Sequence, residues 1–156
     1  MSGLVLSLKP NEKFLVNGAM LVNGPKRGQI CVQDNDVYVL RLSDVIHPEQ
    51  VKTPVKRVYY ALQLILSCDM KSEDAIKPVL DGLKGLASVF EKTPYVRHVE
   101  KAENAVLQDR FYSALCSLKA LLEIETELFT RHMQNTRDHV PAMPAPAPAV
   151  MMAEAG

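Results

Sequence analysis

The chain has 156 residues, a formal net charge of zero and a hydrophobic fraction of 47%. This length and composition suit a single domain, or one compact unit of two small parts, with enough apolar side chains for a core. The longest apolar stretch, residues 59–66, is too short for a membrane span, and the first residues lack the pattern of a signal peptide. These features predict a cytoplasmic protein with no membrane association, and the neutral charge argues against strong nonspecific nucleic-acid binding.

The first 47 residues have the pattern of an N-terminal β part. Short apolar and β-branched runs predict strands over residues 4–8, 13–16, 19–22, 29–33 and 37–42. Asn17-Gly18 is a hairpin signal because both residues tolerate positive φ, whereas Asn23-Gly24 is followed by a longer basic loop. The pattern predicts a small antiparallel β-sheet of four or five strands, whose free edges invite homo-oligomer formation.

Residues 53–133 have the period of helices, which predicts a C-terminal helical part and an α+β fold class. Thr53-Pro54 combines a capping hydroxyl with proline at the first helical position, and Thr93-Pro94 repeats this pair. Ser72 and Asp109 are predicted caps of the second and fourth helices. The expected architecture is a bundle of about four helices, followed over residues 136–156 by a disordered, proline- and alanine-rich flexible tail.

Catalytic and metal-binding patterns are missing from the sequence. The four histidines have no companion at ligand spacing, and neither a phosphate loop nor a nucleophile elbow occurs. The odd number of cysteines, each in an apolar context, predicts reduced and buried thiols, with Cys116 an inert core residue. We therefore expect no cofactor, no metal and no enzymatic activity.

A modest basic excess lies in the N-terminal part of the chain. Residues 1–60 carry eight basic and five acidic side chains. Basic residues in a loop, at a strand end and around a helix N-terminus suit phosphate contacts, so the candidate RNA-binding residues are Lys26, Arg27, Arg41, Lys52, Lys56 and Arg57. The alternative interpretation is ordinary solubilising charge. Tyr59 and Tyr60 could likewise stack on bases or belong to the core.

The broad apolar stripes of the helical part allow a second kind of function. An amphipathic helix of another protein could lie between such stripes, which would make the chain a protein-binding module or chaperone. A closed helical core is the alternative explanation of the same stripes.

Three stretches of the sequence form a combined pattern: residues 6–14 leading into Asn17-Gly18-Ala19 and Asn23-Gly24, residues 48–60, and residues 111–115 followed by 121–123. In their order and spacing they resemble the FlbT family of flagellar regulators. Asn11 stands where the resemblance leads us to expect glycine, and Lys56 where it leads us to expect arginine. Asparagine tolerates left-handed geometry, so the turn at Asn11 should survive.

The resemblance implies a post-transcriptional regulator of flagellin synthesis, a repressor in flagellum biogenesis. Such a protein would bind the 5′ untranslated region of flagellin mRNA and influence its translation or decay. The sign of regulation differs among family members and is not carried over. Flagellin itself and the sister regulator FlaF are the protein partners that the resemblance suggests.

The β part also resembles the carbon storage regulator family, which binds messenger leaders through an arginine at a strand edge. The similarity lies in residues 9–14 and in a late strand that ends at Arg41 before Ser43-Asp44-Val45-Ile46. This pattern analogy singles out Arg41 for testing.

Overall fold

The computed structural model describes residues 3–34 and 36–139. The chain divides into two compact units, Met1–Leu122 and Glu123–Gly156. The first unit contains all five strands and three complete helices, and the fourth helix begins in it and continues in the second unit. The predicted tail lies outside the described residues from residue 140 onwards, and residues 136–139 form the end of the fourth helix.

Five antiparallel strands form two small sheets in the first unit. The two-stranded sheet pairs β1 (Leu4–Leu8) with β4 (Gly28–Val32). The three-stranded sheet has the order β3 (Ala19–Val22), β2 (Lys13–Val16), β5 (Val39–Arg41). The α+β fold class with N-terminal antiparallel strands is confirmed, and the strands are divided between two sheets.

Asparagines with positive φ make the tight turns of this part. Asn17 and Gly18 have φ values of 49° and 83° and join β2 to β3, which confirms the hairpin predicted from Asn-Gly. The Asn17 side chain also accepts a 2.9 Å hydrogen bond from the backbone N–H of Tyr38, just before β5. Asn11, with φ of 59°, keeps the left-handed geometry expected in place of glycine.

Four helices follow the strands in the part of the chain that the structure describes. They are α1 (Pro54–Leu66), α2 (Ser72–Phe90), α3 (Val96–Leu107) and α4 (Phe111–His139). The Thr53 cap is confirmed, because its hydroxyl accepts the N–H of Lys56 at 3.2 Å. The predicted Ser72 cap is wrong: Ser72 is the first helical residue, and Lys71 at the N-cap makes no side-chain capping bond.

The core is built from the inward faces of the strands and the apolar stripes of the helices. Leu6, Leu8 and Phe14 are buried from the strands, and Tyr59, Leu62 and Leu118 from the helices. Gln63, which interrupts the longest apolar stretch, is buried too. Its side chain accepts the N–H of Ile46 at 2.7 Å and donates to the Ile46 carbonyl at 3.0 Å, so the loop before α1 is fixed to the helix.

The cysteines are more exposed to solvent than the sequence predicts. Cys31, Cys68 and Cys116 are free thiols and all three are exposed, so the prediction of buried thiols is wrong. Cys68 has a φ of 66° and lies just after Ser67, the C-terminal capping residue of α1, so it belongs to the turn that ends this helix. Within the described residues, no helix combines the length and apolarity that crossing a membrane requires.

Candidate nucleic-acid interface

Lys26 and Arg27 lie in the loop that leads from β3 to β4, and both are exposed. Asn23 organises this loop, because its amide donates to the carbonyls of Lys9 at 2.7 Å and of Lys26 at 3.0 Å. The backbone N–H of Asn11 donates to the Gly24 carbonyl at 2.9 Å. The second Asn-Gly pair therefore fixes a connection between the two sheets, and the loop presents its two cations on an ordered backbone.

Arg41 ends β5 opposite Phe14 and is largely enclosed, with 23% of its side chain exposed. Its guanidinium donates to the carbonyl of Ser7 on β1. Its Nε lies 3.3 Å from Glu12 Oε2, although this buried nitrogen makes no hydrogen bond within the described residues. Arg41 thus connects β5, β1 and the β1–β2 turn, a structural role that the sequence did not indicate.

Glu12 relates Arg41 to the basic loop. One carboxylate oxygen accepts the N–H of Lys9 at 2.8 Å, and the other faces Arg41. The backbone carbonyl of Glu12 accepts the N–H of Asn23 at 2.8 Å. The β1–β2 turn therefore contacts both the loop that carries Lys26 and the guanidinium of Arg41.

Lys52, Lys56 and Arg57 surround the first turn of α1, as predicted. Lys52 and Arg57 are exposed, whereas Lys56 is half-buried. The Thr53 carbonyl accepts the N–H of Arg57 at 3.0 Å, which completes the helix start. Cations here add to the positive end of the helix dipole, so an anion would be attracted to this turn.

The two adjacent tyrosines have different environments. Tyr59 is buried, with 1% of its surface exposed, and its hydroxyl donates to the backbone carbonyl of Asp44. Tyr60 is half-buried. The core interpretation is therefore correct for Tyr59, which cannot stack on a base.

Asp44 forms a polar cluster that sequence reasoning missed. Its side chain is 3% exposed, and one carboxylate oxygen accepts a 2.6 Å hydrogen bond from Lys119 Nζ. The other oxygen lies 3.4 Å from the hydroxyl of Tyr112. Lys119 is 75 residues away along the chain, so no local pattern could have indicated this ion pair.

Three ionisable groups around Asp44 are held in their neutral forms. Burial raises the pKa of the Tyr59 hydroxyl well above its ordinary value of 10.0, and the charge of Asp44 raises it further. Burial, with Cys116 and Asp44 as smaller causes, does the same to the pKa of Tyr112. Although Cys116 reaches solvent, loss of hydration also raises its pKa, which keeps the thiol protonated and a poor nucleophile at neutral pH.

Comparison with known proteins identifies the family. The family model described as flagellar protein FlbT matches residues 4–129. A protein of Caulobacter vibrioides named flagellum biosynthesis repressor protein FlbT is 32% identical over 124 residues, which cover 80% of this chain and 87% of that protein.

Two further relatives also match over most of the chain. Proteins named probable flagellum biosynthesis repressor protein FlbT are 31% identical in Mesorhizobium japonicum, over 92% of both chains, and 30% identical in Rhodopseudomonas palustris, over 82% of this chain and 98% of that one. No solved structure matches the chain. The family match and these relatives show that the chain belongs to the FlbT family of flagellar proteins.

Proposed function

We propose that this chain is a cytoplasmic regulator of flagellum biosynthesis that contacts the 5′ untranslated region of flagellin mRNA and changes its translation or decay. Membership of the FlbT family and the names of the relatives support a regulatory role in flagellar synthesis. The proposal of RNA contact is supported by exposed cations on hydrogen-bonded backbone. They are Lys26 and Arg27 in the β3–β4 loop and Lys52 and Arg57 at the start of α1.

Phosphate contacts of this kind predict a defined dependence on salt. Each cation that neutralises a phosphate of a single strand releases counterions and contributes about 0.7 to the slope of log K against log salt. The chain has no net charge, so this attraction depends on local side chains rather than on the field of the whole molecule.

The test measures binding of the flagellin messenger leader by fluorescence anisotropy at several salt concentrations. We expect the fourfold glutamine variant to bind at least about tenfold more weakly and to lose about 3 from the salt slope. Its substitutions are Lys26→Gln, Arg27→Gln, Lys52→Gln and Arg57→Gln.

A matched control separates local contacts from total charge. Four exposed lysines on or near α2 and α3 can be neutralised with the same change in net charge, namely Lys77, Lys84, Lys92 and Lys101. Unchanged affinity in the first variant, or equal losses in both, would contradict the proposed contacts. Arg41 is left intact in both variants. Its hydrogen bond to Ser7 and its ion pair with Glu12 stabilise the β part, so a substitution there would weaken RNA binding by destabilising the fold.

A further inference from the structure

An open apolar groove lies between α1 and α2 in the first unit. Its volume is about 470 Å³, and its apolar lining includes Val58 and Ala61 from α1 and Val89 from α2. Val89 is 70% exposed, the largest exposure among the exposed large apolar residues of the described chain. An apolar surface of this shape is a recurring site for the apolar face of a helix.

Two glycines of α2 line the groove, and only one is needed for packing within the chain. A Cβ at Gly82 would lie 2.6 Å from Val58 Cγ2, so close packing of α1 against α2 requires glycine there. A Cβ at Gly85 would meet no atom within 4 Å. Glycine inside a helix is unfavourable relative to alanine, and among the described residues no neighbouring atom gives a packing reason for glycine at position 85.

The groove has a cationic end. Among the described residues that line the groove, the ionisable one is Arg57, and it is exposed. Lys52 and Lys56 lie beside the same helix start. A helix that fits would therefore combine an apolar face with acidic side chains, because a carboxylate would offset the charge of Arg57 and benefit from the α1 dipole.

The second unit of the same chain contains such a helix. Ile124 and Leu128 are four residues apart in α4 and thus share one face, and Leu128 is 44% exposed. Residues 123–131 contain three glutamates and one arginine.

We propose that the α1–α2 groove of one copy binds residues 123–131 of a second copy. Ile124 and Leu128 would cover Gly85 and Val89, while Glu123 and Glu127 would face the cationic end at Arg57. Val89 of the first unit and Leu128 of the second unit are both exposed apolar residues. Two copies related by a two-fold axis would exchange this contact reciprocally, which closes the assembly as a dimer. The proposal does not depend on RNA binding.

The experiment is sedimentation equilibrium of the full chain without RNA, over protein concentrations of about 1 to 100 µM, where mass action would reveal a dimer. We expect Gly85→Glu to raise the dimer Kd at least about tenfold, because it fills the groove and adds a charge that repels the acidic helix. Glutamate favours a helix more than glycine does, so the variant should fold.

Ser88→Glu is the matched control. Ser88 is an exposed residue of α2 that does not line the groove, and the substitution changes the net charge equally. We expect its dimer Kd to stay within about twofold of the original. A second test reverses the charges on the two sides of the contact. Arg57→Glu alone should weaken the dimer, and so should the double variant Glu123→Arg with Glu127→Arg. The triple variant, which carries all three substitutions, should restore the dimer.

Three results would overturn the proposal. They are a chain that stays monomeric over the whole concentration range, a dimer that tolerates Gly85→Glu, and a monomer whose Gly85→Glu variant loses binding to flagellin. The last result would assign the groove to another protein. Lys26, Arg27 and Lys52 do not line the groove, so RNA binding by Gly85→Glu can be measured separately from loss of the dimer.

Discussion

Asp44 illustrates how single residues hold the first unit together. Its backbone carbonyl accepts the hydroxyl of Tyr59 on α1, and its carboxylate binds Lys119 on α4. Because the carboxylate is buried while Lys119 is about half-exposed, the two partners contribute unequally. Removal of the lysine would leave a buried charge without its counterion, whereas removal of the carboxylate would leave a lysine that water can solvate.

We therefore expect Lys119→Met to lower the free energy of unfolding by about 1 to 3 kcal/mol, as measured by urea denaturation. Addition of Asp44→Asn to Lys119→Met should recover part of this loss, because the amide carries no charge that needs a counterion. Arg131→Met breaks the exposed pair with Glu127 and serves as the control, with an expected change below about 0.5 kcal/mol. Equal effects of Lys119→Met and Arg131→Met would contradict this role for Asp44.

At the level of elements, the contact between α1 and α2 depends on the absence of a side chain at Gly82. Val58 is buried, and its Cγ2 lies only 2.6 Å from where the Cβ of any other residue at position 82 would be. Valine has few rotamers in a helix and cannot easily move away. The close packing of α1 against α2 therefore depends on a valine of α1 that faces a glycine of α2.

Gly82→Ala should lower the free energy of unfolding by about 1 to 3 kcal/mol, because overpacking at Val58 exceeds the gain in helix propensity. Gly85→Ala should raise it by up to about 1 kcal/mol, since the new methyl group meets no neighbour. Thermal unfolding followed by circular dichroism checks both variants. A combined Val58→Ala and Gly82→Ala variant should be less unstable than the sum of the two changes, and strict additivity would refute the proposed clash.

Local chemistry explains which elements could be predicted from the sequence. The turn at Asn17-Gly18 and the cap at Thr53 are set by residues adjacent in the chain, and both were predicted correctly. The division of the strands between two sheets is set by pairing between strands that are distant in the sequence, such as β1 with β4 and β2 with β5. Arg41 was singled out as a charge at a strand end, but its partners are 34 and 29 positions away in the sequence and give no local signal.

The whole molecule should respond to alkaline pH through the neutral groups near Asp44. In the folded chain the pKa values of Cys116, Tyr59 and Tyr112 are raised above their ordinary values of 9.0, 10.0 and 10.0. Below pH 9 these groups are protonated in both the folded and the unfolded chain. Above those values the unfolded chain releases protons that the folded chain retains, so stability falls as pH rises.

We expect the free energy of unfolding to begin to fall near pH 9 and to fall more steeply above pH 10, by up to about 1.4 kcal/mol per pH unit for each of the two buried tyrosines. The contribution of Cys116 should be smaller, because its thiol is exposed and solvent screens the charge of the thiolate. Tyr59→Phe loses a buried hydrogen bond and should be less stable at pH 7, yet its decline above pH 10 should be shallower. Urea denaturation from pH 7 to pH 11 checks both expectations. Parallel curves for the two proteins would show that Tyr59 does not contribute to the pH dependence.

The ion pair between Asp44 and Lys119 also constrains how the chain is made. Synthesis proceeds from the N-terminus, so every strand leaves the ribosome before Lys119 has been added. Until Lys119 has been added, Asp44 lacks the cation that it pairs with in the folded chain, and contacts across 75 residues are slow to close because loop entropy opposes them. We expect a nascent or truncated β part to remain open to water and to other chains, which makes residues 1–47 alone unsuitable for mapping RNA contacts.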